Sequence, residues 1–164
     1  MCWLENKILE EEKFIGYKVA IKRNNEYYSP AMGNKYKVGQ VETVMKQQRL
    51  SQYFIEDILM ESFSPGMVGR TSVFKYLNDA IEFENLMSVY DSQEYVIIRL
   101  TLNNDLVEGK YNASSIVAGR NILKIEEMKS QMIEQEKLIE STDIAYKNYK
   151  LKSTIKPTVK TTYY

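Results

Sequence analysis

The sequence predicts an α+β domain: a mostly antiparallel sheet of hairpins, covered by helices and followed by a long C-terminal helix. Three observations predict this class. Short segments alternate apolar and polar residues with the period of two that a strand gives. Asparagine-rich turns separate several of them, and longer segments carry apolar residues at helical spacing. The 164 residues fit one domain of ordinary size. We divide it into an α+β part (1–125), a C-terminal helix (126–149) and a flexible basic tail (150–164).

The first elements are predicted from the alternation of apolar and polar residues and from residue types that favour turns. Residues 4–13 form either a short acidic helix or the lead into the first strand. Residues 14–22 alternate aliphatic or aromatic residues with shorter or charged ones, which predicts a strand with one buried face. Asn24 and Asn25 tolerate positive φ, so they predict a hairpin turn, with residues 26–29 as the return strand.

A third short strand is predicted around Tyr36 and Val38, and helices are predicted from apolar spacing further along. Residues 41–61 carry such spacing and predict one or two helices. The segment "SFSPGMVGR" that follows predicts a loop. Residues 72–74 predict a brief strand. Asn78 is a candidate N-cap for a helix over residues 76–90.

The clearest strand is "EYVIIRLTL", residues 94–102, because it is rich in β-branched and aliphatic residues. The segment "NND" that follows contains residues that favour a turn, so "LVEGKY", residues 106–111, is predicted as the hairpin partner. A further strand over residues 121–125 is expected to lead into the long C-terminal helix.

That helix carries residues at alternating steps of three and four, a heptad seam with two polar members. The seam predicts either packing against the domain's own sheet or association of identical chains. Its members are Ile125, Met128, Met132, Gln135, Ile139, Thr142, Tyr146 and Tyr149.

Composition excludes several classes of chemistry. With no histidine and one cysteine, Ser/His and Cys/His nucleophile pairs and Cys/His zinc sites are excluded. We therefore expect no metal, and the remaining candidates are chemistry carried by other side chains or a binding function without catalysis. Cys2 has no partner for a disulfide within the chain, and no apolar run approaches a membrane span. We expect a cytoplasmic protein with no membrane partner.

Charge is balanced overall, with 22 basic and 22 acidic residues, which gives no reason to expect a nucleic-acid partner. It is uneven along the chain, since the start is acidic and five lysines follow the last acid, Asp143. The candidate contact surface for a ligand is the glycine loop with its neighbours. Its predicted ligand-binding residues are Tyr28, Gly69, Arg70 and Ser72.

Arg23, the segment "GRTS" (residues 69–72) and the segment "SQEYVII" (residues 92–98) follow one another in an order that resembles arginine-type ADP-ribosyltransferases. The resemblance implies NAD as cofactor, with Arg23 holding the dinucleotide, Ser72 shaping the site and Glu94 stabilising an oxocarbenium ion. The sequence departs from that family, because its segment is Thr-Ser-Val where the family has Ser-Thr-Ser. Ser92 also stands where the family has Glu or Gln.

A second resemblance covers roughly residues 16–128. The patterns "GYKV", "YKVGQ", "SVFKYLNDAIEF" and "YVIIRLTLNNDLVEGKY" resemble small α+β proteins encoded by phages and mobile elements. The resemblance implies origin and fold rather than chemistry. We therefore expect a non-catalytic binding protein without a cofactor, an accessory of host takeover or anti-defence in the host-cell cytoplasm. Such a protein would sequester a nucleotide-like ligand or block a host protein. The alternative is the NAD-dependent transferase.

Overall fold

The computed structural model describes residues 7–30, 33–41, 69–111 and 113–154. Its elements, in chain order, are β1 (Lys7–Ile8), β2 (Lys13–Arg23), β3 (Glu26–Tyr28), β4 (Gly39–Gln40), β5 (Thr71–Phe74), α1 (Leu77–Tyr90), β6 (Tyr95–Asn103), β7 (Val107–Tyr111), β8 (Ser114–Gly119), β9 (Asn121–Glu127) and α2 (Ser130–Thr154). The predicted α+β class with a large antiparallel sheet and a C-terminal helix is confirmed.

The strands form one sheet in the order β1-β7-β8-β5-β2-β6-β9-β4, with β3 paired to β2 outside this path. Every strand pair is antiparallel. β2 is central, because β6 follows one edge over nine residue pairs while β3 and β5 share the other edge. The chain divides into two compact units, Met1–Lys129 with the sheet and α1, and Ser130–Tyr164 with α2.

The predicted first hairpin is confirmed. Arg23 pairs with Glu26, and the two residues between them have positive φ, 51° at Asn24 and 60° at Asn25. Both central residues of a type I′ turn need positive φ, and asparagine reaches that region more easily than most residues. The segment before this hairpin contains β1, and its residues 7–13 are not helical, so of the two alternatives predicted for it the lead into the strand is the one observed there.

The predicted pairing of "LVEGKY" with the strand before it is wrong. β7 pairs with β8 and β1, whereas β6 pairs with β2 and β9. β6 to β9 instead form one long hairpin that is bent in its middle. At the bend, Asn104 and Asp105 have positive φ, and Arg120 N donates to Asn104 O at 3.0 Å. The sequence predicted the turn, but the turn redirects the chain instead of closing a hairpin. β8, for which no strand was predicted, supplies the partner.

The bent sheet encloses one apolar cluster. Its buried members come from five strands and the loops between them: Ala20, Tyr36, Val73, Ile98, Leu100, Leu102, Leu106, Val117 and Ile122. We call this side of β2 the inner face. On the outer face, α1 covers Val19 and Ile21, which pack with Met87 and Tyr95. β2 is therefore covered on both sides, and the prediction of one buried face is wrong at Ala20, which is fully buried.

Gly16 allows β5 to cross β2 closely. A Cβ at this position would lie 2.3 Å from Val73 Cγ2 and 2.8 Å from the Phe74 carbonyl oxygen. Real Cβ atoms do not approach backbone this closely, so any larger residue would push the two strands apart. β5 meets β2 at a single residue pair, Tyr17 with Phe74, which leaves residues 18–20 of β2 between β5 and β3.

The helix predicted over residues 76–90 is confirmed as α1, although Asn78 is not its N-cap. Tyr76 occupies that position with an extended backbone and no side-chain cap, and Asn78 Nδ2 donates to Glu82 Oε1 one turn further on. The strand predicted near Tyr36 is displaced to β4. The helices predicted over residues 41–61 lie outside the described residues, apart from Val41, as does most of the glycine loop.

α2 begins at Ser130 and runs to Thr154, so it starts and ends later than the predicted 126–149. Two residues of the predicted seam precede it. Ile125 belongs to β9, and Met128 follows that strand, where it is buried and its N–H donates to Ile97 O at 2.8 Å. Residues 150–154, predicted as tail, are helical.

Candidate ligand-binding site

Gly69 and Arg70, two predicted ligand-binding residues, lie just before β5. Gly69 has positive φ, 69°. Arg70 reaches the β6–β7 turn, where Nε donates to the Asp105 carbonyl oxygen at 3.0 Å and Nη2 lies 3.5 Å from Asp105 Oδ2. Arg120 Nε donates to the same carboxylate at 2.9 Å. Burial lowers the pKa of Arg70, and the nearby Arg120 charge lowers it further. Arg70 thus ties the bend of the long hairpin to the start of β5, and Arg120 joins the two strands of the hairpin at the bend.

Ser72, the third predicted residue, is buried on β5 and meets a lysine from β2. Lys18 Nζ donates to the Ser72 carbonyl oxygen at 2.8 Å and to Ser72 Oγ at 3.3 Å. Both acceptors are neutral. No carboxylate pairs with Lys18 in the part of the chain that the structure describes, so this half-buried ammonium has no counter-charge there.

Tyr28 lies on β3 and belongs to the outer face, where it packs beside Val19, Ile21 and Met87. Its hydroxyl donates to Glu26 Oε2 at 2.6 Å, and Lys35 Nζ lies 2.5 Å from the other oxygen of that carboxylate. The hydrogen bond from Lys35, and after it the one from Tyr28, hold the pKa of Glu26 below its ordinary value. The same bond to Glu26 raises the pKa of Tyr28. Tyr28 is therefore engaged with its own hairpin, on the face opposite the Lys18 ammonium.

Tyr36 lies next to Lys18 on the inner face. The ammonium is 5.7 Å from the centroid of the Tyr36 ring, within the range of a cation–π contact. Tyr36 is only 6% exposed, and its hydroxyl has no hydrogen-bond partner among the described residues. Buried polar groups in native proteins nearly always have a partner, so this hydroxyl is a site where a further polar group would be stabilised.

A second lysine and a carboxylate complete this surface. Lys22 Nζ lies 2.9 Å from Glu127 Oε1, and the Glu127 side chain is 9% exposed. Lys129 contacts the other oxygen of the same carboxylate. Lys22 and Lys18 share the face of Ala20 because strand residues two apart point the same way. We define the Lys18 cluster as Lys18, Lys22, Tyr36, Ser72 and Glu127.

The electrostatics of the Lys18 cluster favour an anion. Glu127 is its single carboxylate, and Lys22 and Lys129 both contact it. Lys18 forms no ion pair with any acid of the described residues. An ammonium beside a buried hydroxyl can donate charge-assisted hydrogen bonds to a phosphate or carboxylate oxygen.

The residues of the transferase resemblance do not converge. Arg23 Nη2 donates to Gln93 Oε1 at 2.6 Å on the exposed end of β2. Glu94 is opposite Lys22, whose N–H donates to its carbonyl oxygen at 2.9 Å. Because neighbouring strand residues point to opposite faces, Arg23 lies on the outer face and Glu94 on the inner face. Ser72 is engaged by Lys18 on another strand.

Sequence reasoning missed Lys18, Lys22, Tyr36 and Glu127. Alternating lysines on a strand are typical of a solvent-facing side, so the sequence pattern assigns Lys18 and Lys22 to solvent. The available signal was Ala20 between them, a small apolar residue on the supposedly exposed face. Only the pairing of β6 with β2 on one edge and with β9 on the other shows that Lys22 and Glu127 meet.

Comparison with known proteins identifies no relative. A scan against protein-family models, a search of curated proteins and a search of solved structures each give no match for this chain. Within the described ranges, no group of three or more acidic or cysteine side chains is arranged to hold a metal ion. None of the helices there is long and apolar enough to cross a membrane.

Proposed function

We propose that this chain is a non-catalytic binding protein that holds a small anionic ligand of nucleotide type at the Lys18 cluster. One observation carries the proposal: a half-buried ammonium without a counter-charge lies beside a buried hydroxyl without a partner, within the described residues. A phosphate oxygen at this place would accept hydrogen bonds from both groups.

The position of the cluster on the fold supports this proposal. It lies on the inner face of β2, beside the apolar cluster enclosed by the bent sheet. Ligand sites are commonly apolar concavities with a few placed polar groups, and curved sheets often carry them where they open. A nucleotide offers a charged phosphate for Lys18 and an aromatic base for tyrosine side chains such as Tyr27, which packs against the same apolar cluster.

Binding without catalysis agrees better with the site than transfer from NAD does. The transferase chemistry needs Arg23, Ser72 and Glu94 around one substrate, and Arg23 and Glu94 occupy opposite faces of the sheet. The resemblance to phage and mobile-element proteins adds the proposal that the bound nucleotide is a host compound, sequestered for the benefit of the element.

Calorimetric titration of the full chain with ATP, NAD and inorganic phosphate tests the proposal. We expect a nucleotide to bind, and we expect Lys18→Met to weaken this binding by roughly 10- to 100-fold, because a charge-assisted hydrogen bond is lost. Lys13→Met is the matched control, since Lys13 is an exposed lysine of the same strand and its loss makes the same change in net charge.

Two results would contradict the proposal. Equal loss of affinity in the Lys18→Met and Lys13→Met proteins would show a general charge effect instead of a site. Release of nicotinamide from NAD by the wild-type protein, abolished in the Glu94→Gln protein, would replace binding with the transferase reaction. Thermal unfolding of each variant shows whether a loss of binding reflects a loss of fold.

A further inference from the structure

Glu127 is paired with more positive charge than it needs. Lys22 and Lys129 each contact one of its two carboxylate oxygens. The two contacts differ in kind, because Lys129 Nζ donates a hydrogen bond to Oε2. The other oxygen, Oε1, lies 2.9 Å from Lys22 Nζ but accepts no hydrogen bond within the described residues. Lys129 alone can therefore hold this carboxylate, and the Lys22 ammonium is the one that can leave it.

The Lys22 side chain extends along β2 toward the level of Lys18. Its own backbone is opposite Glu94 on β6, where the Lys22 N–H donates to the Glu94 carbonyl oxygen. Glu127, however, is opposite Ile98, which is in turn opposite Lys18. The Lys22 and Glu127 side chains together span this offset of four residues, about 13 Å of strand. The Lys22 ammonium consequently lies nearer to the level of Lys18 than its own Cα does.

The two lysines of β2 approach the inner face from opposite sides. The row of Lys18, Ile98 and Glu127 crosses three neighbouring strands, so its ends lie two strand spacings apart, about 10 Å. Lys18 Nζ is bound on the β5 side by Ser72, and Lys22 Nζ lies on the β9 side at Glu127. A single phosphate group is too small to contact both ammonium groups from these sides, whereas three linked phosphates extend far enough.

We propose that the ligand of the Lys18 cluster is a nucleoside triphosphate, and that Lys22 leaves Glu127 to bind the end of the phosphate chain farther from Lys18. This inference rests on the proposed nucleotide-binding function and names its ligand class. Lys129 keeps the buried carboxylate paired during the exchange, because an unpaired buried carboxylate would cost stability and repel the ligand. With Lys129, the cluster carries three ammonium groups and one carboxylate, a net charge of +2, which favours the more highly charged nucleotide.

Calorimetric titration of the full chain with ATP and with AMP tests the inference, because the two nucleotides share base and ribose and differ in the number of phosphates. We expect the wild type to bind ATP more tightly than AMP. We expect Lys22→Met to weaken ATP binding by roughly 10-fold and to leave AMP binding unchanged, since only the triphosphate reaches this ammonium. Lys13→Met makes the same change in net charge on an exposed lysine of the same strand, so it should preserve the ratio of the two affinities.

Glu127→Gln distinguishes ligand selection from a structural role of the ion pair. The substitution keeps the shape of the side chain but removes the charge that attracts Lys22, so ATP binding should strengthen by roughly 10-fold. A structural ion pair predicts the opposite, weaker binding together with a lower midpoint of thermal unfolding, and that result would overturn the inference.

Two further results separate this inference from the proposed function. Equal affinity of the wild type for ATP and AMP, or an equal loss for both in the Lys22→Met protein, would overturn the role of Lys22 and leave nucleotide binding at Lys18 in place. Binding of neither nucleotide would overturn the proposed function, and the inference with it.

Discussion

The two faces of β2 differ in whether their polar side chains have partners. On the outer face, Val19 and Ile21 pack against α1 with apolar neighbours, and the surrounding tyrosine hydroxyls of Tyr28 and Tyr95 donate to carboxylates. On the inner face, the half-buried Lys18 ammonium donates to neutral oxygens of Ser72 and pairs with no carboxylate among the described residues. The buried Tyr36 hydroxyl has no hydrogen-bond partner among them. The outer face therefore contributes stability, whereas the inner face retains polar groups at a cost to stability.

The largest expected effect comes from the outer face. Ile21→Ala removes a fully buried side chain between β2 and α1 and should lower the free energy of unfolding by roughly 2 to 5 kcal/mol. Urea denaturation measures this change. Ile15→Ala is the control, because Ile15 lies on the same side of the same strand but is 55% exposed, and it should change stability by less than about 0.5 kcal/mol. Equal effects would show that α1 does not stabilise the sheet.

A gain in stability is expected on the inner face. Tyr36→Phe removes a buried hydroxyl that lacks a partner in the described structure and should raise the free energy of unfolding of the ligand-free protein by about 1 to 3 kcal/mol. It should also weaken nucleotide binding, since the hydroxyl would no longer donate to the ligand.

Tyr28→Phe provides the contrast for that substitution. Its hydroxyl donates to Glu26, so its removal should lower stability slightly and leave ligand binding unchanged. A loss of stability in the Tyr36→Phe protein, measured without ligand, would mean that the fold itself satisfies this hydroxyl and that the two faces do not differ as proposed.

The smallest effect at neutral pH concerns ionisation on the outer face. Burial, and then the hydrogen bond to Asp91 Oδ2, raise the pKa of Tyr95 far above 10. Between pH 10 and the raised pKa, the folded protein keeps a proton that the unfolded chain loses, so this group's contribution to stability falls as pH rises above 10, by up to about 1.4 kcal/mol per pH unit.

The difference in unfolding free energy between wild type and Tyr95→Phe isolates this effect. At pH 7 the variant should be less stable by about 1 kcal/mol, the loss of one hydrogen bond. Between pH 10 and 11 the difference should shrink, because only the wild type has this phenol to titrate. A difference that stays constant over this range would contradict the raised pKa.

The sequence predicted well those features that depend on neighbouring residues. Asn24 and Asn25 adopt the positive φ that their small polar side chains allow, and residues 77–90 form the helix that apolar spacing indicated. It did not predict β8, because that strand ends in four consecutive buried residues and shows no alternation. The proposed site shows the same pattern, since the Lys18 cluster includes Ser72, which the sequence indicated, and Lys18, which the sequence pattern assigns to a solvent-facing side.

The sequence by itself determined the α+β class, the positions of the turns and the absence of histidine chemistry, because these follow from local conformational preference and residue identity. Tertiary structure alone decided which strands pair and which side of β2 is enclosed. The pairing of β6 with both β2 and β9 brings Glu127 to Lys22, and the pairing of β5 with β2 brings Ser72 to Lys18. Such contacts join residues 54 to 105 positions apart, a distance at which side-chain periodicity carries no information about partners.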